Sequence, residues 1–439
     1  MKREILKVLL AWKEADDHKP LLLRGARQVG KTYVVNELGK SFKSFVSINL
    51  ELDFKMRTCF DNLAPKEIID NLSILTQQTI TPGETLLFID EIQAYPKAIE
   101  ALRYFRELMP TLHVIAAGSL LEFVLHQDSI SMPVGRIEYL YMQPCSFTEF
   151  LLATGHEKII EKLNTCSLNN SLSPIIHREL LQLFKTYMAV GGMPEALATY
   201  QKTKQIFDAQ RVQRSILQTY RDDFGKYASQ ANLRYLQTVF DKTPGMVGSV
   251  IKYKKIDADF RSRDLKQAIE MLEYAGVIKR IIATSASGLP LITTTNEKKF
   301  KLQFLDIGLT QCACDIGPDI LQTDLSKLND GGLAEQVVGQ SILAYIDPFL
   351  TPHLFFWARD ARNSSAEIDF VISTSGKIIP IEVKSGAHGR LKSLHLFLQE
   401  KNLDLGIKIS TAPLSYEKNI LNIPFYLMSE LTRLAKTAL

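Results

Sequence analysis

The sequence predicts a multidomain α/β protein, with a parallel-sheet domain first, a mostly helical middle and a second α/β domain last. Three observations carry this prediction. A short apolar strand, Leu21 to Arg24, runs into the glycine-rich stretch GARQVGKT. A second apolar strand, Thr85 to Ile89, ends in two acids. Far downstream, EIDFVISTSGKIIPIEVKSG has the pattern of two strands joined by a turn.

The composition is that of an ordinary soluble protein, with 46% hydrophobic and 23% charged residues. A chain of 439 residues has room for roughly two to four domains. Five cysteines in this length argue against a disulfide framework and favour a reducing cytoplasm. The N-terminal MKREILKVLLAWKEADD has the pattern of an amphipathic helix, and no stretch approaches the length of a membrane span.

The glycine-rich stretch has the G-x-x-x-x-G-K-[ST] spacing of a phosphate-binding loop, between a strand and a helix. Glycines let backbone N–H groups converge on phosphate oxygens, and the helix dipole adds to the attraction. Lys31 is expected to bridge the β- and γ-phosphates of ATP, and Thr32 to place its hydroxyl on Mg²⁺. An incidental glycine-rich turn is the alternative. The predicted nucleotide-binding residues of the loop are Gly25, Ala26, Arg27, Gln28, Val29, Gly30, Lys31 and Thr32.

Two acids follow the second strand. At the carboxyl end of a parallel strand, Asp90 is expected to hold Mg²⁺ through its water shell. Glu91 is then expected to orient and deprotonate the attacking water. An acid pair that caps the next helix is the alternative reading.

A third strand, in LHVIAAGSLL, ends at Gly118 and Ser119. Ser119 is expected either to reach the γ-phosphate or to cap the helix that begins with Leu120. Farther on, Arg136 follows a glycine. It is a candidate arginine finger, acting on the nucleotide of its own or a neighbouring subunit, with a surface salt bridge as the alternative.

These stretches together resemble a large prokaryotic family of AAA+-type ATPases that carry a C-terminal domain of unknown function. The resemblance runs through GARQVGKT, SFVSINLE, FIDEIQ, AAGS, VGRIEYLYMQPCSFTEFL and YMAVGGMPEAL, and so covers nearly the whole chain. It implies an AAA+-type sheet followed by a helical lid that carries the Gly-Gly-x-Pro-Glu turn. One departure is AAGS, where family members often have a threonine before Gly-Ser. This departure weakens the assignment of Ser119 but not that of the ATPase.

The middle of the chain is basic. Residues 201 to 304 hold 19 Lys plus Arg and 10 Asp plus Glu, a net charge of +9 against +4 for the whole chain. Short helices followed by a hairpin that turns at Ser287-Gly288 resemble the winged-helix segment of the same family. This basic segment has three possible roles. It could contact DNA phosphates, it could dock a protein partner, or it could be a solvated positive surface without a partner. The candidate nucleic-acid residues are Lys252, Lys254, Lys255, Arg261, Arg263 and Lys266.

The last strand pair places Asp369, Glu382 and Lys384 close together, because Glu382 and Lys384 are two residues apart on one strand. The pattern is similar to the D…(D/E)-x-K signature of the restriction-endonuclease-like superfamily. This resemblance implies that Asp369, Glu382 and the Val383 carbonyl hold Mg²⁺, with Glu335 acting through water. Lys384 would position the attacking water. A domain that keeps the fold without cleavage is the alternative.

Four domains are therefore predicted: the ATPase core over 1–150, the lid over 151–230, the winged-helix segment over 231–305 and the nuclease-like domain over 306–439. The leading hypothesis is a cytoplasmic ATPase whose nucleotide cycle is coupled to DNA contact. The alternatives are a signalling switch that cuts nothing, and a regulatory DNA binder with an inactive nuclease-like domain. The sequence leaves the oligomeric state open.

Overall fold

The computed structural model describes residues 2–125, 135–226, 228–317, 331–360, 366–387 and 389–439. The strands are β1 (Leu21–Arg24), β2 (Ser44–Asn49), β3 (Thr85–Asp90), β4 (His113–Ala117), β5 (Glu138–Tyr141), β6 (Ile278–Thr284), β7 (Thr295–Phe304), β8 (Leu354–Ala358), β9 (Glu367–Ile368), β10 (Phe370–Thr374), β11 (Lys377–Val383), β12 (Gly406–Ser410), β13 (Ser415–Glu417) and β14 (Ile420–Pro424).

The α-helices are α1 (Ile5–Lys13), α2 (Lys31–Gly39), α3 (Phe54–Thr58), α4 (Pro65–Thr76), α5 (Pro96–Leu108), α6 (Leu121–Leu125), α7 (Phe147–Thr154), α8 (Glu157–Thr165), α9 (Pro174–Val190), α10 (Pro194–Thr203), α11 (Ile206–Asp223), α12 (Gln230–Lys242), α13 (Tyr253–Ile256), α14 (Ser262–Tyr274), α15 (Ile307–Ala313), α16 (Gly332–Tyr345), α17 (Lys392–Lys401) and α18 (Leu431–Ala438). Within the described ranges, none of these helices combines the length and the apolar character that crossing a membrane requires.

The first sheet has five parallel strands in the order β2-β3-β4-β1-β5. Its three central strands, β3, β4 and β1, are apolar and buried on both faces, as expected for a parallel sheet covered by helices on each side. Leu22 packs into one core with α4 and α5, whereas Leu21 and Leu23 pack into the other with α1 and α2. Because all five strands run in one direction, the residues that follow them meet along a single edge of the sheet.

A helical region from α7 to α11 follows, and a glycine turn between α9 and α10 fixes its position. A Cβ atom on Gly191 would lie 2.2 Å from the Asp306 carboxylate, and one on Gly192 would lie 2.3 Å from the Cys145 carbonyl oxygen. Only glycine fits such close contacts. The turn then leads into Pro194, whose ring lies 3.5 Å from the position of a Cβ on Gly30, so the helical region contacts the phosphate-binding loop.

The basic segment forms α12, α13 and α14, followed by the antiparallel pair β6 and β7. Leu265, Ala268, Ile269 and Leu272 form the buried face of α14. The helix ends at Tyr274, Gly276 takes a positive φ of 71°, and Ile278 begins β6. The hairpin is also longer than expected, since its second strand is β7 and Ser287-Gly288 lies in the connection.

A second sheet joins this hairpin to the last part of the chain, in the order β7-β6-β8-β9. β6 pairs with β8 in parallel, and β8 pairs with β9 antiparallel. The sheet therefore continues across residue 305, where the sequence predicts a domain boundary.

The third sheet has the order β10-β11-β12-β14-β13. The predicted hairpin is present, with Val371 opposite Pro380 and a two-residue turn at Ser375 and Gly376. Both turn residues have positive φ, as tight hairpin turns require. The predicted strand through Asp369 is divided at that residue, because β9 pairs with β8 whereas β10 pairs with β11. Asp369 therefore lies where the two sheets meet.

Candidate functional site

The phosphate-binding loop connects β1 to α2. Gly25 has a φ of 148°, and a Cβ atom there would lie 2.4 Å from the Met142 carbonyl oxygen. Gly30 precedes α2 in the left-handed region, with a φ of 93°. Both positions therefore require glycine, and the first N–H groups of α2 face the space above the loop.

Lys31 is buried against the loop that it follows. Its Nζ atom donates to the carbonyl oxygens of Gly25 and Ala26, each at 2.8 Å. Burial lowers the pKa of Lys31 to about 8, and the nearby carboxylates of Glu91 and Asp90 partly oppose that shift. The ammonium group is thus held at the loop by two carbonyl oxygens that a phosphate can replace.

Thr32 and Asp90 meet at the carboxyl edge of the first sheet. The Thr32 hydroxyl donates to Oδ2 of Asp90 at 2.9 Å, and the Glu91 backbone N–H donates to Oδ1 at 3.0 Å. Burial raises the pKa of Asp90. A threonine hydroxyl beside a carboxylate is a donor set that suits Mg²⁺ bound together with phosphates.

Glu91 and Ser119 also lie together, as the parallel strand ends imply. The Ser119 hydroxyl is 3.3 Å from Oε2 of Glu91, and Gln93 donates to the same carboxylate oxygen at 2.6 Å. Glu91 has a positive φ of 49°, which turns the chain out of β3. The role of Ser119 towards a nucleotide stays a prediction. The contribution of Gln93 has no signal in the sequence beyond its closeness to the acid pair.

Arg27 connects the loop to the end of α11. Its Nε atom donates to the Ser119 hydroxyl at 3.0 Å, and its guanidinium forms an ion pair with Asp223. The Tyr220 hydroxyl donates to the Arg27 carbonyl oxygen at 2.7 Å. Asp223 and Tyr220 are absent from the predicted site, because no motif in the sequence links α11 to a loop almost two hundred residues away.

Arg3 supports the loop from the opposite side. Its Nη1 atom donates to the Val29 carbonyl oxygen at 2.7 Å, and its Nε atom donates to Glu149 at 2.9 Å. Both side chains are about 95% buried. A buried ion pair of this kind fixes geometry at a considerable desolvation cost. The sequence alone does not distinguish Arg3 from the other charges at the N-terminus.

Arg136 lies away from the loop. It precedes β5, whose first residue Glu138 pairs with Leu21 at the start of β1, so it lies near the amino edge of the sheet. Its Nε atom donates to Glu107 at 2.9 Å on the exposed side of α5. The salt bridge considered from the sequence is therefore present, and a finger role would need the nucleotide of another subunit.

The basic residues of the middle segment form an exposed surface on α13 and the first turn of α14. The six candidates are all exposed: Lys252, Lys254, Lys255, Arg261, Arg263 and Lys266. Lys266 lies 3.6 Å from Glu270, four residues farther along the helix. Within the described ranges, the other five form no salt bridge.

The predicted residues of the C-terminal site also come together. The Val383 backbone N–H donates to Oδ2 of Asp369 at 2.7 Å, and Nζ of Lys384 donates to Oε1 of Glu382 at 2.6 Å. The other oxygen of Glu382 is buried without a partner among the described residues. Burial, with the charge of Asp369, raises the pKa of Glu382 to about 7. The Glu382 carboxyl therefore holds its proton to a higher pH than an exposed glutamate does.

Lys301 of β7 is the principal residue that the sequence analysis missed here. Its Nζ atom lies 2.8 Å from Glu335, 2.5 Å from Glu367 and 3.9 Å from Asp369. Burial alone would lower the pKa of Lys301, but the three carboxylates raise it above its ordinary value. Burial and Asp369 raise the pKa of Glu335 to about 8, despite the opposing charge of Lys301.

This arrangement does not fit the predicted magnesium site. Glu335 and Asp369 both face the Lys301 ammonium, and the second oxygen of Asp369 accepts the Val383 N–H. Over the ranges that the structure describes, no group of three or more His, Cys, Asp or Glu side chains is arranged to hold a metal ion.

Family comparisons divide the chain into three parts. Residues 17–151 match the family described as "AAA domain". Residues 181–320 match a domain of unknown function (DUF8612), and residues 330–426 match another (DUF4143). No curated protein matches the sequence. With the parallel sheet and the loop geometry, the first match confirms an AAA-type P-loop domain at the N-terminal end.

Several solved structures resemble the fold. The Walker-type ATPase PABY2304 of Pyrococcus abyssi aligns over 71% of this chain and 95% of its own, at 14% identity and a TM-score of 0.45. The Aeropyrum pernix ORC1 protein in complex with DNA aligns over 71% of this chain and 91% of its own, at 12% identity and a TM-score of 0.29. AMPPCP-bound DnaA from Aquifex aeolicus aligns over 62% of this chain and 85% of its own, at 14% identity and a TM-score of 0.27. At these sequence identities and TM-scores, the alignments carry no information about the activity of this chain.

Proposed function

We propose that the protein binds and hydrolyses ATP, and that the state of the nucleotide controls how the basic segment and the C-terminal domain contact a partner. The observation that carries the proposal is the convergence of Lys31, Thr32, Asp90, Glu91 and Ser119 at one edge of the first sheet. Each of these residue types supplies one function that phosphoryl transfer to water needs.

The roles follow from the contacts. Loop N–H groups and Lys31 bind the phosphates, after Lys31 releases the carbonyl oxygens of Gly25 and Ala26. Thr32 and Asp90 would hold Mg²⁺, which when bound neutralises charge on the phosphate oxygens. Glu91 accepts a proton from the attacking water, while Ser119 and Gln93 keep its carboxylate oriented.

A cavity of about 330 Å³ beside α2 is suited to the nucleoside part of ATP. Tyr33 and Val34, directly after the phosphate-binding turn, line one side, and Leu152 and Gln201 of the helical region line the other. Tyr33 directly follows Thr32, so the cavity lies close in sequence to the phosphate-binding loop.

Two contacts support transmission from the nucleotide to the rest of the chain. Arg27 joins the loop to Asp223 at the end of α11, and a Cβ atom on Gly276, between α14 and β6, would lie 3.2 Å from Ala26. A shift of the loop on binding phosphate would therefore press directly on the basic segment.

For the C-terminal domain, the structure favours the regulatory alternative over cleavage. The restriction-endonuclease-like resemblance is supported by the closeness of Asp369, Glu382 and Lys384. Cleavage is not proposed, because Lys301 lies where the predicted metal ligands converge. Contact with DNA through the exposed basic surface remains part of the proposal, and a protein partner is the competing occupant of that surface.

The test of ATP hydrolysis uses two variants and one control. Lys31→Ala should abolish ATP binding. Glu91→Gln should still bind ATP but should hydrolyse it at least about a hundredfold more slowly than the wild type. Glu14→Gln, at a side chain that is 76% exposed, should change neither. Hydrolysis by Glu91→Gln at the wild-type rate would refute the assignment of the base.

A separate assay tests the regulatory reading of the C-terminal domain. Plasmid and linear DNA are incubated with the protein, Mg²⁺ or Mn²⁺, with and without ATP. We expect no cleavage. Metal-dependent cleavage that disappears in Asp369→Ala and in Lys384→Ala would instead establish the nuclease function.

A further inference from the structure

The Lys301 side chain is fully buried, yet its ammonium faces three carboxylates from three separate parts of the last domain. Glu335 comes from α16, Glu367 from β9, and Asp369 from the junction of β9 and β10. The ammonium also lies 5.4 Å from the centre of the Phe356 ring. The lysine is thus enclosed on one side by acid groups and on the other by an aromatic face.

Buried carboxylates that are this close repel one another unless a cation lies between them. In metal-dependent enzymes a divalent ion supplies that charge. Here the positive charge that faces all three carboxylates is covalently attached to β7, a strand from the segment before the nuclease-like domain. Its carboxylate partners include Glu335 and Asp369, two of the three carboxylates predicted to hold Mg²⁺.

We propose that the Lys301 ammonium takes the place of a divalent cation in this carboxylate cluster, and that it excludes metal ions from the C-terminal site. Lys301 is therefore an internal counter-ion that holds β7 to α16 and β9. The inference does not depend on ATP hydrolysis, so either claim can fail without the other.

Two features of the surroundings leave little room for a metal beside the lysine. A Cβ atom on Gly248 would lie only 3.2 Å from Oε1 of Glu335, so the Gly248 backbone lies near that carboxylate oxygen. Oδ2 of Asp369 accepts the Val383 N–H, and Oδ1 lies 3.9 Å from Nζ of Lys301. We therefore expect a metal ion to displace the lysine rather than to bind next to it.

The experiment measures Mn²⁺ binding by electron paramagnetic resonance on the full chain without nucleotide. Asp90→Asn serves as the background, because it removes the cation ligand at the phosphate-binding loop. We expect this background protein to bind no Mn²⁺ at the C-terminal site. Adding Lys301→Met should create one Mn²⁺ site that the background protein lacks, and adding Asp369→Asn as well should remove it. Lys301→Arg keeps the charge and should remain without metal.

Two outcomes would overturn the proposal. One is Mn²⁺ binding by Asp90→Asn that is lost in Asp90→Asn/Asp369→Asn, since metal and lysine would then coexist. The other is a folded Lys301→Met protein, as judged by circular dichroism, that gains no site. If Lys301→Met does not fold, Lys301→Gln replaces it, because its amide can still donate to one carboxylate while carrying no charge. The first outcome does not depend on how the Lys301 variants fold, because it compares Mn²⁺ binding by Asp90→Asn and by Asp90→Asn/Asp369→Asn, which both keep Lys301.

Discussion

Arg27 of the phosphate-binding loop forms an ion pair with Asp223, which lies 196 positions downstream at the end of α11. Both side chains are largely buried, and Arg27 also donates to Ser119, which faces Glu91. One guanidinium thus contacts the helical region and a neighbour of the proposed general base. Its position should depend on both.

Asp223→Asn should therefore slow ATP hydrolysis more than it weakens ATP binding. The amide removes the charge that orients Arg27, and we expect kcat to fall about tenfold, or ~1.4 kcal/mol of activation free energy. Steady-state hydrolysis and equilibrium nucleotide binding measure the two effects. The control is Asp222→Asn, which removes the same charge from the exposed neighbouring residue. Equal losses in both variants would contradict a specific role for the Arg27 contact.

The pKa of Lys31 makes nucleotide binding sensitive to pH. The lysine has a pKa of about 8 in the free protein, whereas bound phosphates favour the charged form. Below pH 8 the ammonium is already present. Above it, binding must take up a proton, so Kd for a non-hydrolysable ATP analogue should rise by up to about tenfold per pH unit. Lys31→Arg stays charged and should show a flat profile, and a flat wild-type profile between pH 8 and 9.5 would exclude this titration.

The exposed basic surface predicts a salt-dependent affinity for DNA. Neutralising Arg261, Arg263 and Lys266 with glutamine should weaken binding and reduce the slope of log K against log salt by roughly 3 if each contacts one phosphate. Fluorescence anisotropy with a labelled duplex over a range of salt concentrations gives both numbers. Lys298→Gln, which changes an exposed lysine on β7, is the matched control. Unchanged DNA binding in the triple variant would favour a protein partner for this surface.

The position of Arg136 predicts that replacing it has little effect on ATP hydrolysis by the isolated subunit. Because Arg136 lies near the amino edge of the sheet, Arg136→Ala should leave hydrolysis by dilute protein unchanged. Loss of its solvent-exposed ion pair with Glu107 should leave the free energy of unfolding nearly unchanged. Measuring hydrolysis per subunit against protein concentration tests the remaining role. Activity that rises with concentration only in the wild type would indicate that the arginine acts on a neighbouring subunit.

Local patterns in the sequence sufficed for much of this fold. The loop, α2, the strand before Asp90 and the hairpin through Ser375 and Gly376 all follow from spacing that neighbouring residues determine. Because parallel strands end at one edge, the contact between Glu91 and Ser119 could also be anticipated.

Contacts between distant segments could not be anticipated in the same way. Arg3, Asp223 and Lys301 are ordinary charged residues in the sequence, and only the folded chain brings each to a site. Lys301 is the clearest case. It lies inside the predicted winged-helix segment, 231–305, and the pairing of β6 with β8 joins its strand to the sheet that holds the carboxylate cluster.

The pairing of β6 with β8 also limits how this protein can be taken apart. A fragment beginning at residue 306 would lack β6, the strand that pairs with β8 in the second sheet, and so would expose unpaired backbone groups at a new sheet edge. It would also leave Glu335, Glu367 and Asp369 without their lysine. The C-terminal domain is thus not a portable module, and swapping it between related proteins should succeed only when β6 and β7 travel with it.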